Sequence, residues 1–166
     1  MKPLIAILLG VPLLAFAAAS SPDEHFYRSA AEAGIAEVDL GKLAEQKVVD
    51  PALKDFATRM VHDHSGANEK LKALAATKNI PLPEHASASA VATKGKLEVL
   101  KGESFDKSYI KSQVKAHEDT VALLQKEISS GQDADAKSFA QSVLPTVEAH
   151  LKAIRELASK EKVAQR

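Results

Sequence analysis

The chain has no cysteine and no tryptophan, and only 4% of its residues are aromatic. Without cysteine it can form no disulfide and offers no thiolate to a metal. Its stability therefore has to come from packing, or from an ion held by nitrogen and oxygen atoms. Basic and acidic residues are equal in number, 22 of each. Because there is neither a basic excess nor a set of aromatics on which bases could stack, we predict that the protein does not bind nucleic acid.

The longest apolar run lies at the start of the chain. A short positive segment, Met1-Lys2, precedes the apolar stretch "PLIAILLGVPLLAF", and "AFAAAS" then offers small-residue cleavage sites. We predict that residues 1–19 are a cleaved secretory signal peptide and that the protein is exported to the periplasm. The alternative is a retained membrane anchor, but the run is too short and too soon followed by polar residues to span a bilayer. No membrane-spanning segment is expected once the signal is removed.

The remaining residues, 22–162, are predicted to form a single helical domain. The chain is 45% hydrophobic and rich in alanine and leucine, and four long segments carry apolar residues at the helical period. These segments run from Pro22 to Lys47, from Pro51 to Asn79, from Ser104 to the glycine of "SSGQD", and from Asp133 to Lys160. An aspartate followed by a proline, as at Asp50 and Pro51, is typical of the cap and first residue of a helix.

The connections between the four predicted helices are short, long and short. Residues 80–102 are rich in proline, alanine and serine and show no helical period, so they predict a loop. A loop of this length can travel back along a helix of about 40 Å, whereas the short connections can join only antiparallel neighbours. We therefore predict an all-α, ferritin-like four-helix bundle with one long crossover between the second and third helices. The alternative is a plain up-down-up-down bundle with a long second loop.

Each apolar stripe is interrupted by one polar residue near the middle of its helix. The four interruptions, each flanked by apolar residues at helical spacings, are Glu37, His64, His117 and His150. Side chains at these positions point inward if the stripes do, and the midpoints of helices of similar length share one layer of a bundle. One carboxylate and three imidazoles suit a single divalent transition metal, so we predict that these four residues bind Zn, Cu or Fe. The alternative is a metal-free cluster in which Glu37 pairs with a protonated histidine.

Several kinds of active site have no counterpart in the sequence. No histidine has a glutamate three residues before it, which excludes the Glu-x-x-His pairs of di-iron carboxylate bundles. There is also no nucleophile elbow, no glycine-rich phosphate loop and no paired acid/base carboxylates. The sequence therefore gives no reason to predict an enzyme.

The stretch "MVHDHSGANEKL" contains two histidines on either side of an aspartate. Helical geometry separates them: His64 belongs to the apolar seam, whereas His62 lies on its flank and Asp63 falls beside basic residues on a solvated face. Asn68 follows His64 by one turn and could orient it. We therefore predict that His64 alone of this pair takes part in the site.

The segments "FATRMVHDHSGANEKLKALA", "LKGESFDKSYIKSQVKAHEDTV" and "LPTVEAHLKAI" together resemble a family of exported bacterial proteins of unknown function. Members of that family are often labelled "predicted outer membrane protein" and are assigned a ferritin-like bundle. The resemblance covers about Phe26 to Leu157. It implies these motif positions: Asp63, His64, Asn68, Phe105, Asp106, Tyr109, His117, Pro145 and His150. It supports the fold and the export but supplies no function, and we predict a soluble periplasmic protein rather than one embedded in the outer membrane.

Two functions remain open from the sequence. The first is an exported periplasmic bundle that binds a transition metal through the buried histidine and glutamate layer. The second is a metal-free envelope interaction or stress module, in which the same His–Glu cluster is structural and no protein partner can be named.

Overall fold

The computed structural model describes residues 22–164, and all of the regular secondary structure in this part of the chain is helical, with no strand. The five helices are α1 (Pro22–Lys47), α2 (Pro51–Thr77), α3 (Ala88–Glu98), α4 (Gly102–Ser130) and α5 (Ala134–Ala164). The all-α prediction is thereby confirmed. The predicted signal peptide, residues 1–19, lies outside the described residues. Between residues 22 and 164, no helix is long and apolar enough to cross a membrane.

The start of α2 follows the predicted capping pattern. The Asp50 carboxylate accepts hydrogen bonds from the backbone nitrogens of Ala52 and Leu53, at 2.7 and 3.0 Å, and proline occupies the first turn. The start of α4 differs from the prediction. This helix begins at Gly102 rather than at Ser104, and no side chain caps it.

The connection after α2 is not the structureless loop that its composition predicts, because it contains α3. The backbone nitrogen of Ala90 donates to the Ser87 hydroxyl, 3.3 Å away, and this bond caps the helix. Leu97 is the buried residue of α3 and packs into the core. The segment has too few large apolar residues to show a period, so its helicity depends on the cap and on packing against α1 and α4.

Contacts at the two ends of the bundle fix the directions of the helices. Near the start of α4, the Asp106 carboxylate accepts hydrogen bonds from the backbone nitrogens of Val49 and Asp50, 3.2 and 3.1 Å away, just before α2. Lys78 follows α2 and pairs at 2.9 Å with Asp133, which follows α4. The first residues of α2 and α4 therefore lie together at one end of the bundle, and their last residues lie together at the other end. The two helices run in the same direction. Residues 78–101 therefore cross the length of the bundle.

The four long helices pack in two pairs, α1 with α2 and α4 with α5, and the pairs meet through α1 with α4 and α2 with α5. Their buried apolar residues form two clusters. One contains Leu40, Met60, Ile110 and Ile154, and the other contains Ala31, Leu71, Leu124 and Val147. On each long helix, the predicted site residue lies between a residue of the first cluster and a residue of the second cluster. A polar layer therefore separates two apolar halves of the core.

A second polar group lies at the end of the bundle where α1, α4 and α5 meet. The Asp23 carboxylate accepts hydrogen bonds from the backbone nitrogens of Gln132 and Asp133, at 2.8 and 3.2 Å, and the Tyr27 hydroxyl donates to the Asp133 carboxylate at 3.1 Å. Glu127 is only 5% exposed beside this group. Burial, and after it the negative charge of Asp23, raises the pKa of Glu127 to about 7.

We expect Glu127 to make the protein less stable as the pH rises. Its ordinary pKa is 4.5 and its folded value is about 7, so the folded state binds more protons between these pH values. The free energy of unfolding therefore falls through this window, and the Glu127 contribution is fully present only below it. Denaturant unfolding at pH 4.5 to 8 should show Glu127→Gln gaining stability relative to the parent as the pH rises. Glu103→Gln on the same helix, where the side chain is 85% exposed, should show no such trend, and a parallel pH profile for Glu127→Gln would contradict the assignment.

The α1–α2 contact depends on a glycine. A Cβ on Gly41 would lie 2.8 Å from Val61 Cγ2 and 3.2 Å from the Ala57 carbonyl oxygen, so a larger residue would push the helices apart. We expect Gly41→Ala to destabilise the protein by about 1–3 kcal/mol. Gly66 is the matched control on α2, where a Cβ would meet nothing within 4 Å, and Gly66→Ala should stabilise by about 0.5–1 kcal/mol through helix propensity. Equal effects of the two substitutions in denaturant unfolding would contradict the close packing.

Candidate metal centre

Three of the predicted site residues converge in the polar layer. One ring nitrogen each of His64, His117 and His150 lies within 4.8 Å of the others, and the ring centroids are 5.5 to 5.7 Å apart. The three residues are 7%, 1% and 2% exposed, respectively. They come from α2, α4 and α5, so three helices meet at this group.

The hydrogen bond of His117 determines which of its ring nitrogens carries the proton. Nδ1 lies 2.9 Å from the Gln113 carbonyl oxygen, one turn earlier in α4. A carbonyl oxygen can only accept, so Nδ1 carries the hydrogen and Nε2 keeps a lone pair. His117 therefore presents an unprotonated nitrogen on the side opposite to Gln113.

His150 is oriented in the same way, but by a carboxylate. Its Nε2 lies 2.9 Å from Oδ2 of Asp63, which leaves a lone pair on Nδ1. A histidine whose outer nitrogen donates to a carboxylate is the usual arrangement of a metal-ligating imidazole. The prediction that Asp63 belongs to a solvated face is wrong in this respect, because one of its oxygens is committed to the core histidine. Only the resemblance to a motif containing Asp63 and His64 pointed to a role for it.

Each of the three rings has one buried nitrogen that forms no hydrogen bond with the described residues. His64 Nε2, His117 Nε2 and His150 Nδ1 are buried without a hydrogen bond to any of the described residues. Burial, and then the nearby His117 and His150, lowers the pKa of His64 to about 3. Burial also lowers the pKa of His150, although its bond to Asp63 acts in the opposite direction. His64 and His150 therefore offer neutral imidazole donors at neutral pH.

Glu37, the fourth predicted residue, lies beside this group rather than within it. It is 2% exposed, and its Oε1 is 3.8 Å from Nδ1 of His117, the nitrogen that faces Gln113. Burial raises the pKa of Glu37, although the neighbouring His117 works against this. The structure thus brings the three histidines together and places Glu37 against the outer edge of one of them.

Three buried residues of α4 were not predicted from the helical period. Gln113 is fully buried one turn before His117, and Tyr109 is fully buried one turn before that. Asp106 is buried at the start of the same face and caps α2. Tyr109 and Asp106 appeared only as motif positions of the resemblance, and nothing in the sequence marked Gln113. Asn68 packs against Gly34 of α1.

A cleft between α2 and α5 leads from the surface to the histidines. Its volume is about 250 Å³, and its lining includes His62, Asp63, His64 and His150. His62 is 87% exposed, as its predicted flank position requires, and its Nδ1 lies 2.8 Å from Oδ1 of Asp63. A second groove of about 550 Å³, between α1, α3 and α4, reaches Glu37 but is not lined by the three histidines.

These residues fit a transition-metal ion. Imidazole nitrogens are suitable donors for Zn, Cu and Fe, and the three unpartnered ones face the same region of the core. Bonds of about 2.0–2.1 Å around one ion place nitrogens roughly 3.4 Å apart, so the rings need only small movements inward. Glu37 and Asp63 add two nearby carboxylates that can balance the charge of an ion.

The fold is shared with several solved structures. A DUF305 fragment from Deinococcus radiodurans has a TM-score of 0.74 and 13% identity, over 85% of this chain and 98% of that chain. CopM in its Cu(I)-bound form has a TM-score of 0.70 and 14% identity, over 85% and 98%, and CopM is also known in Cu(II)- and Ag-bound forms. A DUF305 protein from Streptomyces coelicolor described as secreted has a TM-score of 0.71 and 13% identity, over 83% and 91%. At these identities the likeness shows a common fold.

No curated protein matches the sequence. Residues 12–157, however, match the sequence model of a family described as Domain of unknown function (DUF4142). This range includes Glu37, the three histidines and Asp63. The predicted membership of a family of unknown function is thereby confirmed, and the chain belongs to the DUF4142 family.

Proposed function

We propose that this protein is an exported, periplasmic metal-binding protein that holds one transition-metal ion, with copper the preferred ion, at His64, His117 and His150. Two observations carry the proposal: one ring nitrogen of each of the three histidines lies within 4.8 Å of the others, and each ring has a buried nitrogen without a hydrogen-bond partner among the described residues. A buried polar atom without a partner destabilises a fold by about 1–3 kcal/mol. Three of them in one place are explained if a bound ion uses their lone pairs.

The second support is that a hydrogen bond on one ring nitrogen fixes the orientation of two of the three histidines. The Gln113 carbonyl fixes His117, and the Asp63 carboxylate fixes His150, each at 2.9 Å. A core histidine that served only packing would use one nitrogen in this way and bury the other against apolar atoms. Here the other nitrogen of each ring is buried without a partner, and the ring centroids of His64, His117 and His150 are 5.5 to 5.7 Å apart, an arrangement that suits metal-ligating imidazoles.

Glu37 contributes to the proposed site mainly through its charge. A divalent ion in the core carries two positive charges, and burying them without compensation is very unfavourable. Glu37 beside His117 and Asp63 beside His150 supply two carboxylates at the outer edges of the ligand rings. Glu37 is not among the side chains whose donor atoms lie within 4.8 Å of one another, so its position favours charge compensation over the direct ligation expected from the sequence.

Copper is preferred for two reasons. Among divalent first-row metals, copper binds a given set of nitrogen donors most tightly, and more tightly than zinc. CopM, which shares the fold, is known with Cu(I), Cu(II) and Ag bound. Zinc and iron remain within the donor chemistry of three imidazoles, whereas no thiolate is available anywhere in the chain.

The proposal extends to topology and location. The parallel course of α2 and α4, with a connection that crosses the bundle, supports the ferritin-like arrangement with α3 inside the crossover. Residues 22–162 form its single domain. The predicted signal peptide at residues 1–19 supports export, as does a fold neighbour described as secreted. The proposal includes no catalytic step.

The metal-free module is the second candidate. It is favoured by the approach of Glu37 Oε1 to His117 Nδ1 at 3.8 Å, which would become an ion pair if His117 were protonated. In that case the polar layer would set the register of the helices, and chelators would leave the melting temperature unchanged.

Elemental analysis distinguishes the two candidates. We expect the mature protein to bind one equivalent of copper or zinc, and His117→Ala to lose it. Because a ligand bound only to the folded state stabilises it, copper at about 100 times its dissociation constant should add about 2.7 kcal/mol to the free energy of unfolding. His85→Ala is the matched control, since His85 is exposed and distant from the group. Absence of metal in the parent, with no thermal stabilisation by copper, zinc or iron salts, would contradict the proposal.

The orienting carboxylate gives a second test. We expect Asp63→Ala to weaken metal binding about 10- to 100-fold, because outer partners of ligating histidines have effects of this size. Competition titration against a chelator of known affinity measures the change. Asp119→Ala serves as control, since Asp119 forms an exposed pair with Lys115 on α4. Equal affinities for the Asp63 variant and the parent would show that Asp63 does not orient a ligand.

A further inference from the structure

We propose that His62 and Asp63 form a metal-capture site at the mouth of the cleft between α2 and α5, where an ion from solution is first bound before it passes inward to His64 and His150. This inference rests on the proposed metal binding. It assigns a role to an exposed histidine that is not a member of the buried group. The ligand is a transition-metal ion of the kind held in the core.

The first observation is that Asp63 lies between an outer and an inner imidazole. Its Oδ1 is 2.8 Å from Nδ1 of His62, and its Oδ2 is 2.9 Å from Nε2 of His150. A carboxylate only accepts, so both ring nitrogens donate to it. The His62 ring, which is 87% exposed, therefore keeps its lone pair on Nε2, whereas His150 keeps its lone pair on Nδ1 in the core. One carboxylate thus orients a donor at the surface and a donor in the site.

The second observation is the path between these donors. His62, Asp63, His64 and His150 all line the same cleft of about 250 Å³. The groove on the other side of the bundle reaches Glu37 but none of the three histidines. Of these two openings, the cleft between α2 and α5 is therefore the one that leads to the ligand nitrogens.

An ion that enters the core has to exchange its water ligands for protein donors. The three core histidines are at most 7% exposed, so an ion that reached them directly would lose most of its hydration shell before gaining protein ligands. Removing a charge from water without replacement ligands is strongly unfavourable. His62 Nε2, whose ring is oriented by Asp63, can replace a first water at the surface, and the core nitrogens then replace the remaining ones. Each step exchanges one donor for another, with no change in the oxidation state of the ion.

This role has a kinetic signature. A donor used only during transfer changes the barrier and leaves the final bound state the same, so removing it should slow uptake and loss by the same factor. The lining of the cleft contains Lys70 as well as Asp63, so the capture role depends on the imidazole of His62 and not on net negative charge.

The test is stopped-flow measurement of Cu(II) uptake, and of its loss to a chelator, by the mature protein. His62→Asn removes the imidazole but keeps an amide that can donate to Asp63, and we expect it to slow both processes about tenfold. His85→Asn, an exposed histidine elsewhere, should react at the parent rate.

A second variant keeps every donor in place. Gly66 lies in the lining of the cleft, and a Cβ there meets nothing within 4 Å, so Gly66→Leu places a side chain at the mouth without strain. Gly95 on α3 is equally open, and Gly95→Leu is the matched control. We expect slowing by Gly66→Leu and not by Gly95→Leu. Parent rates in both His62→Asn and Gly66→Leu, with copper still bound, would overturn the capture site alone, whereas no copper uptake by the parent would overturn the metal-binding proposal as well.

Discussion

The structure depends on a buried layer of imidazoles, each of which has a ring nitrogen with no hydrogen-bond partner among residues 22–164. Two apolar clusters, one toward each end of the bundle, enclose this layer. They exclude water from His64, His117 and His150 and lower the pKa of His64 to about 3. The same burial that keeps His64 neutral makes its unpaired nitrogen unfavourable. Under the proposed function, an ion bound by the three rings would use these lone pairs and would join α2, α4 and α5 at one point.

The ends of the bundle bring these residues to one height. Asp106 holds the start of α4 against the start of α2, and Lys78 holds the end of α2 against the segment that follows α4. With both ends fixed, the middle residues of the two parallel helices must lie at the same level. The crossover that permits this direction contains α3, which packs along α1 and α4. The position of the site is therefore a consequence of contacts at the helix ends, 11 to 16 residues away in sequence from the histidines that they align.

The helical period in the sequence was enough to predict which polar residues interrupt an apolar stripe. It could not predict contacts that a residue makes with a second helix. Glu37 and the three histidines were recognisable because each interrupts an apolar stripe. Asp63 was assigned to the surface because its own helix places it on a charged flank, and its bond to His150 exists only when α5 packs beside α2. Gln113 was missed because the apolar residues Val114 and Val121 drew the predicted stripe to one side of the face that is buried. The helix α3 was missed because it has one buried large residue, Leu97.

The central claim is that one ion is bound by three imidazoles in the core. X-ray absorption spectroscopy of the copper-loaded mature protein tests it most directly, because the copper edge reports the ligands around the metal in solution. The expected result is a shell of three nitrogens at about 2.0 Å, with the multiple scattering that imidazole rings produce. A shell of oxygen atoms with one imidazole or none would contradict the claim, because copper would then be bound at the surface and not by His64, His117 and His150.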